Sequence, residues 1–333
     1  MLLFSLGILC AGIGAQVVTS DPFYNKSVKD YPDYDERESQ VKPKVMQLRL
    51  AQTASKVGSI EEAKRLFNFA GLAYCSNETL GTPNSKYNTG LGGDFKVVLV
   101  MEDLKLETKG LIAVDGAREQ ILLGFRGTTS TANWEANLNF NKKKFGPGLV
   151  HEGFKELSDA LQLKYREYLT ELLQLNPTYR LVIVGHSLGG AMAVLSAVYM
   201  AEIVPWERIS VYTYGQPRVG DEQFVRWLNS QPMEMTRVVN DNDSVPHLPP
   251  NFAGFFHAHT EMFVRGNDVR VCSTQALEDR SCSRTRVALP SSVTHSNAFG
   301  MSIQESNCRF PHEATRETAA SERAKRHEQR KRK

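Results

Sequence analysis

Hydrophobic residues recur along the chain in two alternating patterns. Ala63, Leu66, Phe67, Ala70 and the pair Leu72-Ala73 follow helical spacing from about Ile60 onward. Phe154, Leu157, Leu161, Tyr165, Tyr168, Leu169 and Leu172 do the same, and Leu188–Met200 is a third helical stretch, almost wholly apolar. Short strand-like runs separate them: Lys96–Val100, Ile121–Phe125, Leu181–Val184, Val211–Tyr214, Thr236–Val239 and Glu261–Val264. Strands of that length alternating with helices predict an α/β fold, with a mostly parallel central sheet and helices on both faces. No internal repeat is present.

The flanks differ from this body. Leu2–Ile13 is apolar and uncharged, and small residues and Gln16 follow it. That is the size of a signal-peptide core and too short to span a bilayer, so residues 1–15 are expected to direct secretion. Residues 16–58 are charged, rich in Asp, Lys, Tyr and Pro, and aperiodic, which fits a leader or propeptide. The folded domain is expected over 59–311. Residues 312–333 form a basic tail without large apolar side chains, expected to be disordered.

Charge sharpens this division. The chain of 333 residues carries +3, and the eight basic and four acidic residues from His312 to Lys333 account for +4, leaving the preceding residues at −1. A near-neutral body gives no support to nucleic-acid binding, which needs a basic surface to displace phosphate counterions. Of five cysteines, Cys10 lies in the presumed signal; Cys75, Cys272, Cys282 and Cys308 remain, with three conceivable pairings. Cys272 and Cys282 bracket polar, turn-prone sequence and are expected to close a local loop, with Cys75 and Cys308 tying the start of the domain to its end. The cysteine spacing fits no zinc pattern, and no metal or other cofactor is expected. Asn25-Lys-Ser and Asn77-Glu-Thr are glycosylation acceptors on the same route. Asn242-Asp-Ser is a third, expected to stay bare.

Candidate chemistry centres on Leu181-Val-Ile-Val-Gly-His-Ser-Leu-Gly-Gly190. A buried strand running into Gly185-x-Ser187-x-Gly189, with a helix immediately after, is the signature of a nucleophile elbow. Its tight turn lifts the serine hydroxyl clear of the sheet. A serine at neutral pH needs a histidine base and a carboxylate to orient it, and in this fold class the order is Ser, acid, His. Asp241 and Asp243, just past the strand Thr236–Val239, both satisfy the acid position on chemistry alone. The loop after the last strand favours His295 as base. His257 and His259 lie at the mouth of another strand, where a structural hydrogen bond to Glu261 is the expected role.

These segments together resemble the fungal class 3 lipase family over about residues 60–308. Phe125-Arg-Gly-Thr128, Asn133-Trp134 and Asn137–Phe140 resemble its oxyanion strand and lid, and His151–Phe154 its next turn. Gly185–Gly190 is similar to its elbow, and Tyr214-Gly-Gln-Pro-Arg-Val-Gly220 to the strand that follows. Asn242–Pro250 resembles the acid loop and selects Asp243, and His295 with Phe299-Gly300 resembles the base loop. The Cys75–Cys308 pairing resembles a family disulfide.

The resemblance implies an α/β-hydrolase fold and a secreted ester hydrolase acting on acylglycerols through an acyl-enzyme. Ser187 would be nucleophile, His295 base and then acid, and Asp243 the orienting carboxylate. The backbone N–H groups of Thr128 and Leu188 would hold the oxyanion, and Trp134 would belong to the lid. A lipid or other ester is the expected substrate and a lipid–water interface a candidate surface; no nucleic acid or obligate protein partner is evident. The stretch Ser130–Asn137 is polar apart from Trp134, which keeps a feruloyl-type carbohydrate esterase as the near alternative. An inactive lipid-binding homologue is the more distant one. Lys142-Lys143-Lys144 reads as a solvated loop.

Overall fold

A computed structural model describes residues 57–80, 85–92, 94–128, 139–273, 277–285 and 292–309. The expected signal, most of the leader, the lid stretch with Trp134 and the basic tail lie outside them. Among the described residues no helix is long and apolar enough to cross a membrane.

The elements follow the predicted alternation. Helix α1 (Ile60–Leu72) starts at Ser59, whose hydroxyl accepts from the Glu62 N–H, with Glu61 and Glu62 in its positive first turn. After α2 (Lys86–Leu91) come β1 (Phe95–Asp103), β2 (Thr108–Asp115) and β3 (Gln120–Phe125), then a small hairpin of β4 (Lys142–Phe145) and β5 (Gly148–His151). Helix α3 (Glu152–Leu175) leads to β6 (Arg180–His186), α4 (Leu188–Met200) and β7 (Ile209–Tyr214). There follow α5 (Glu222–Asn229), β8 (Glu234–Asn240), β9 (Thr260–Arg265), β10 (Asp268–Val271), α6 (Ser292–His295), β11 (Asn297–Ala298) and β12 (Met301–Ser302).

Eight strands form the main sheet in the order β1-β2-β3-β6-β7-β8-β9-β10. The run from β3 to β9 is parallel, and antiparallel strands extend it at both edges. The sequence pattern missed β2, β10 and the hairpin. Lys142–Lys144 sits in β4 rather than a loop; Lys143 and Lys144 are exposed, whereas Lys142 Nζ donates to the carbonyls of Ala253 and Gly254 and its backbone pairs with His151.

The period of two along each strand sorts side chains into two cores. Ile121, Leu123, Phe125, Leu181, Ile183, Ile209 and Val211 face α3, α4 and α5. Leu122, Val182, Val184, Tyr212, Tyr214 and Val238 point the other way and pack with Leu66, Phe67, Phe69 and Ala70 of α1. Burying each such large apolar side chain contributes about 1.5–3 kcal/mol. Because both faces are covered, the central strands read as continuous apolar runs. Disulfides join Cys75 to Cys308 and Cys272 to Cys282, the pairings expected from the sequence.

Candidate active site

Parallel strands all deliver their carboxyl ends to one edge, and the chemistry-bearing loops leave from there. Ser187 is the residue between β6 and α4. Its backbone lies at φ 58, ψ −131, a conformation an L-residue adopts only when its surroundings force it. The forcing is steric. A Cβ at Gly185 would lie 2.0 Å from the Gly189 carbonyl oxygen, so only glycine lets the strand and helix close this tightly. The Ser187 N–H is held by the Tyr214 carbonyl at 2.9 Å.

Asp243 follows β8 and is 1% exposed. Its Oδ1 accepts from the Val245 N–H at 3.0 Å, and both its oxygens face His295 Nδ1, at 3.0 and 2.9 Å. That contact assigns the His295 proton to Nδ1, donating to the carboxylate, and leaves Nε2 as the basic nitrogen. Asp241 sits elsewhere, at positive φ, with its carboxylate 3.8 Å from Arg265 at the surface. His295 is 3% exposed. Its loop is fastened by the Asn240 side chain, which donates to the Thr294 carbonyl at 3.0 Å, and by His186 Nε2, 2.9 Å from the His295 carbonyl.

Ser187 Oγ and His295 Nε2 are both buried and, among the described residues, have no hydrogen-bond partner. Buried polar atoms are ordinarily satisfied, so two unsatisfied ones close to an elbow mark groups reserved for a substrate or for each other. On the other side of Ser187, Gly127 packs so closely that a Cβ there would come 2.8 Å from the serine Cβ. Thr128 is the residue after Gly127, and Leu188 opens α4 directly after Ser187. Trp134 lies outside the described residues.

Other sequence expectations resolve differently. His257 and His259 do not bond Glu261. His257 Nε2 donates to the Pro246 carbonyl at 2.8 Å and His259 Nε2 to the Leu228 carbonyl at 2.9 Å. Glu261 is occupied by Arg237 and Ser283. Burial holds His257 well below the usual imidazole range and His259 down at about 4, so both are neutral structural donors. Glu261, Cys272 and Cys282 lie close enough to suggest a metal site, but both sulfurs are consumed by their disulfide.

Sequence reasoning missed a clamp under the acid loop. Arg218 makes two charge-assisted bonds to Glu278, at 2.7 and 2.8 Å, and donates to the carbonyls of His247 and Pro249. Against the cost of burial, Arg218 holds the Glu278 carboxyl well below the usual carboxylate range. Arg218 stands within the Tyr214–Gly220 motif, but Glu278, far along the chain in an unremarkable polar segment, carried no local signal.

A mostly parallel sheet covered on both faces, with a strained serine elbow and acid and histidine loops at its carboxyl edge, defines an α/β-hydrolase. The class 3 lipase model matches residues 122–253, which include the elbow and Asp243. The chain is 32% identical over 238 residues to the lipase of Rhizomucor miehei, covering 69% of this chain and 65% of that one. It is 34% identical over 175 residues to secreted mono- and diacylglycerol lipase 1 of Fusarium solani, covering 48% and 51%. It superposes with TM-score 0.68, at 30% identity over 75% of this chain and 97% of the other, on a solved triacylglycerol lipase whose catalytic centre is a serine-protease triad. The chain belongs to the fungal class 3 lipase family.

Proposed function

We propose that this protein is a secreted serine ester hydrolase whose domain, residues 59–311, cleaves acylglycerols. The observation that carries the reading is the buried His295–Asp243 pair beside a strained Ser187, with the two atoms that must exchange a proton left unbonded among the described residues. Ser187 Oγ attacks the ester carbonyl while His295 Nε2 takes its proton, and Asp243 stabilises the imidazolium that results. The carbonyl oxygen becomes an oxyanion held by the Thr128 and Leu188 N–H groups, each such donor contributing about 3–4 kcal/mol at the transition state. His295 then protonates the leaving alcohol, and water attacks the acyl-enzyme by the same steps in reverse. The name of the Fusarium relative supports both secretion and acylglycerols as substrates, and the triacylglycerol lipase supports the triad.

A serine-directed fluorophosphonate should label Ser187, and Ser187→Ala should abolish labelling and turnover together. A substrate series of triglycerides of several chain lengths, diacylglycerol, phospholipid and methyl ferulate tests the specificity. Turnover led by methyl ferulate would replace acylglycerols with aromatic esters, and retained turnover by Ser187→Ala would remove the serine mechanism altogether.

A further inference from the structure

Behind the proposed triad lies a hydrogen-bonded chain that joins the oxyanion loop, the elbow and the base loop. Tyr74, just past the end of α1, accepts from the Gly127 N–H at 3.0 Å and contacts His186 Nδ1 at 2.7 Å. His186, the residue before the nucleophile, presents Nε2 to the His295 carbonyl at 2.9 Å. A carbonyl only accepts, so the His186 proton is on Nε2; Nδ1 then accepts from the Tyr74 hydroxyl, which in turn accepts from Gly127. Every donor in the chain has one possible direction.

We propose that Tyr74 and His186 are positioning residues for catalysis: they lock the backbone of the base loop at His295 to the backbone of the oxyanion loop at Gly127. This rests on Ser187, His295 and Thr128 acting as described above. Three further features support it. The fit at Gly127 is tight, because a Cβ there would lie 2.5 Å from the Tyr74 hydroxyl and 2.7 Å from the His186 carbonyl oxygen. Arg126, one residue earlier, donates its N–H to the Lys109 carbonyl at 2.9 Å, so β2 anchors the strand end and Tyr74 anchors the next residue out toward Thr128. The His186 and His295 rings lie 4.5 Å apart. A charged His186 there would oppose the imidazolium that forms on His295. Burial, reinforced by the neighbouring His295, pushes His186 down to about 3 and keeps it neutral.

The arrangement suits a role distinct from binding. The Tyr74 hydroxyl and both His186 ring nitrogens are occupied by protein partners, and those bonds set where the base and the oxyanion donors stand relative to one another. Displacements well under 1 Å at those points are costly to the transition state.

Steady-state kinetics on p-nitrophenyl butyrate, with affinity for a phenylboronic acid that forms a tetrahedral serine adduct, test this. Tyr74→Phe keeps the ring and removes the hydroxyl. It should lower kcat by about 10- to 100-fold with KM within about twofold, and weaken the boronic acid in parallel. His186→Ala should do the same. His186→Gln, whose amide N–H can reach the position of Nε2, should recover most of the loss. Because the relay is shared, the loss in the double variant should fall short of the product of the single losses. Thermal melting of each variant separates these effects from unfolding.

Wild-type kcat in Tyr74→Phe and His186→Ala, or losses confined to KM, would overturn the relay, provided that Ser187→Ala is inactive. So would strictly multiplicative losses in the double variant. Activity in Ser187→Ala would overturn both the relay and the site reading on which it depends.

Discussion

Asp243→Asn separates the two carboxylates that sequence chemistry alone left level. The exchange preserves shape, and the carbonyl oxygen of the introduced amide can still accept from the Val245 N–H that Asp243 Oδ1 now holds at 3.0 Å. The amide NH2 then faces His295 Nδ1, where a carboxylate oxygen stood at 2.9 Å. Keeping the proton on Nδ1 would set two donors against each other in a site 1–3% exposed. The charge-assisted bond lost is worth about 1.5–3 kcal/mol and an unpaired buried donor about 1–3 kcal/mol more. The imidazole therefore adopts the opposite tautomer, with its proton on Nε2, and cannot take one from Ser187. A combined cost of about 2.5–6 kcal/mol is a fall in kcat of roughly 10²- to 10⁴-fold. The assay is ester turnover alongside a urea unfolding curve. Asp241→Asn, whose carboxylate lies at the surface near Arg265, should leave turnover within about twofold. A loss of less than about tenfold in folded Asp243→Asn, or a larger loss in Asp241→Asn, would refute the reasoning.

Three other outcomes follow from the packing. Replacing Cys75 and Cys308 by serine opens a loop of sequence separation 233 and should cost about 5 kcal/mol, against about 2–3 kcal/mol for Cys272 and Cys282 at separation 10. Denaturant midpoints of the two double variants that fell in the reverse order would contradict this. His186 at about 3 and His259 at about 4 are buried neutral, while the unfolded chain takes up their protons below about pH 6.5. Their contribution is complete above about 6.5 and is lost as pH falls, by roughly 1.4 kcal/mol per unit for each, so the urea midpoint should drop between pH 7 and 5; an unchanged midpoint would refute it. Gly215→Ala would bring a Cβ to 2.7 Å from Asp243 Oδ2 and 2.8 Å from the His295 ring, at φ 57. It should lower kcat with a modest loss in melting temperature, and wild-type kcat would show that the pair tolerates displacement.

Much of the molecule was legible in local pattern because its determinants are local. The central strands are buried on both faces, so β6 and β7 announce themselves as apolar runs, and α4 matches the expected Leu188–Met200 residue for residue. Strand β2 escaped notice because its apolar stretch, Leu111–Val114, is preceded by the Thr-Lys-Gly sequence of residues 108–110, polar residues that are nevertheless buried. The β4 strand escaped because three consecutive lysines look solvated. What secures Lys142 is a pair of carbonyls more than a hundred residues away.

The sequence by itself determined the α/β alternation and the elbow at Ser187, for which short-range spacing and turn glycines suffice. An even cysteine count allowed three pairings, and the structure joins Cys75 to Cys308 and Cys272 to Cys282. The sequence named His186 only as the neighbour of a serine, and Tyr74 and Glu278 not at all. The tertiary structure decided that Asp243 rather than Asp241 reaches His295. It also decided that His257 and His259 satisfy carbonyls rather than Glu261, and that Tyr74 and His186 bridge the loops around Ser187. A hydrogen bond is specific over about 3 Å of space but indifferent to distance along the chain. Partners such as Arg218–Glu278 and Tyr74–His186 become visible only when the sheet has brought their loops to one edge.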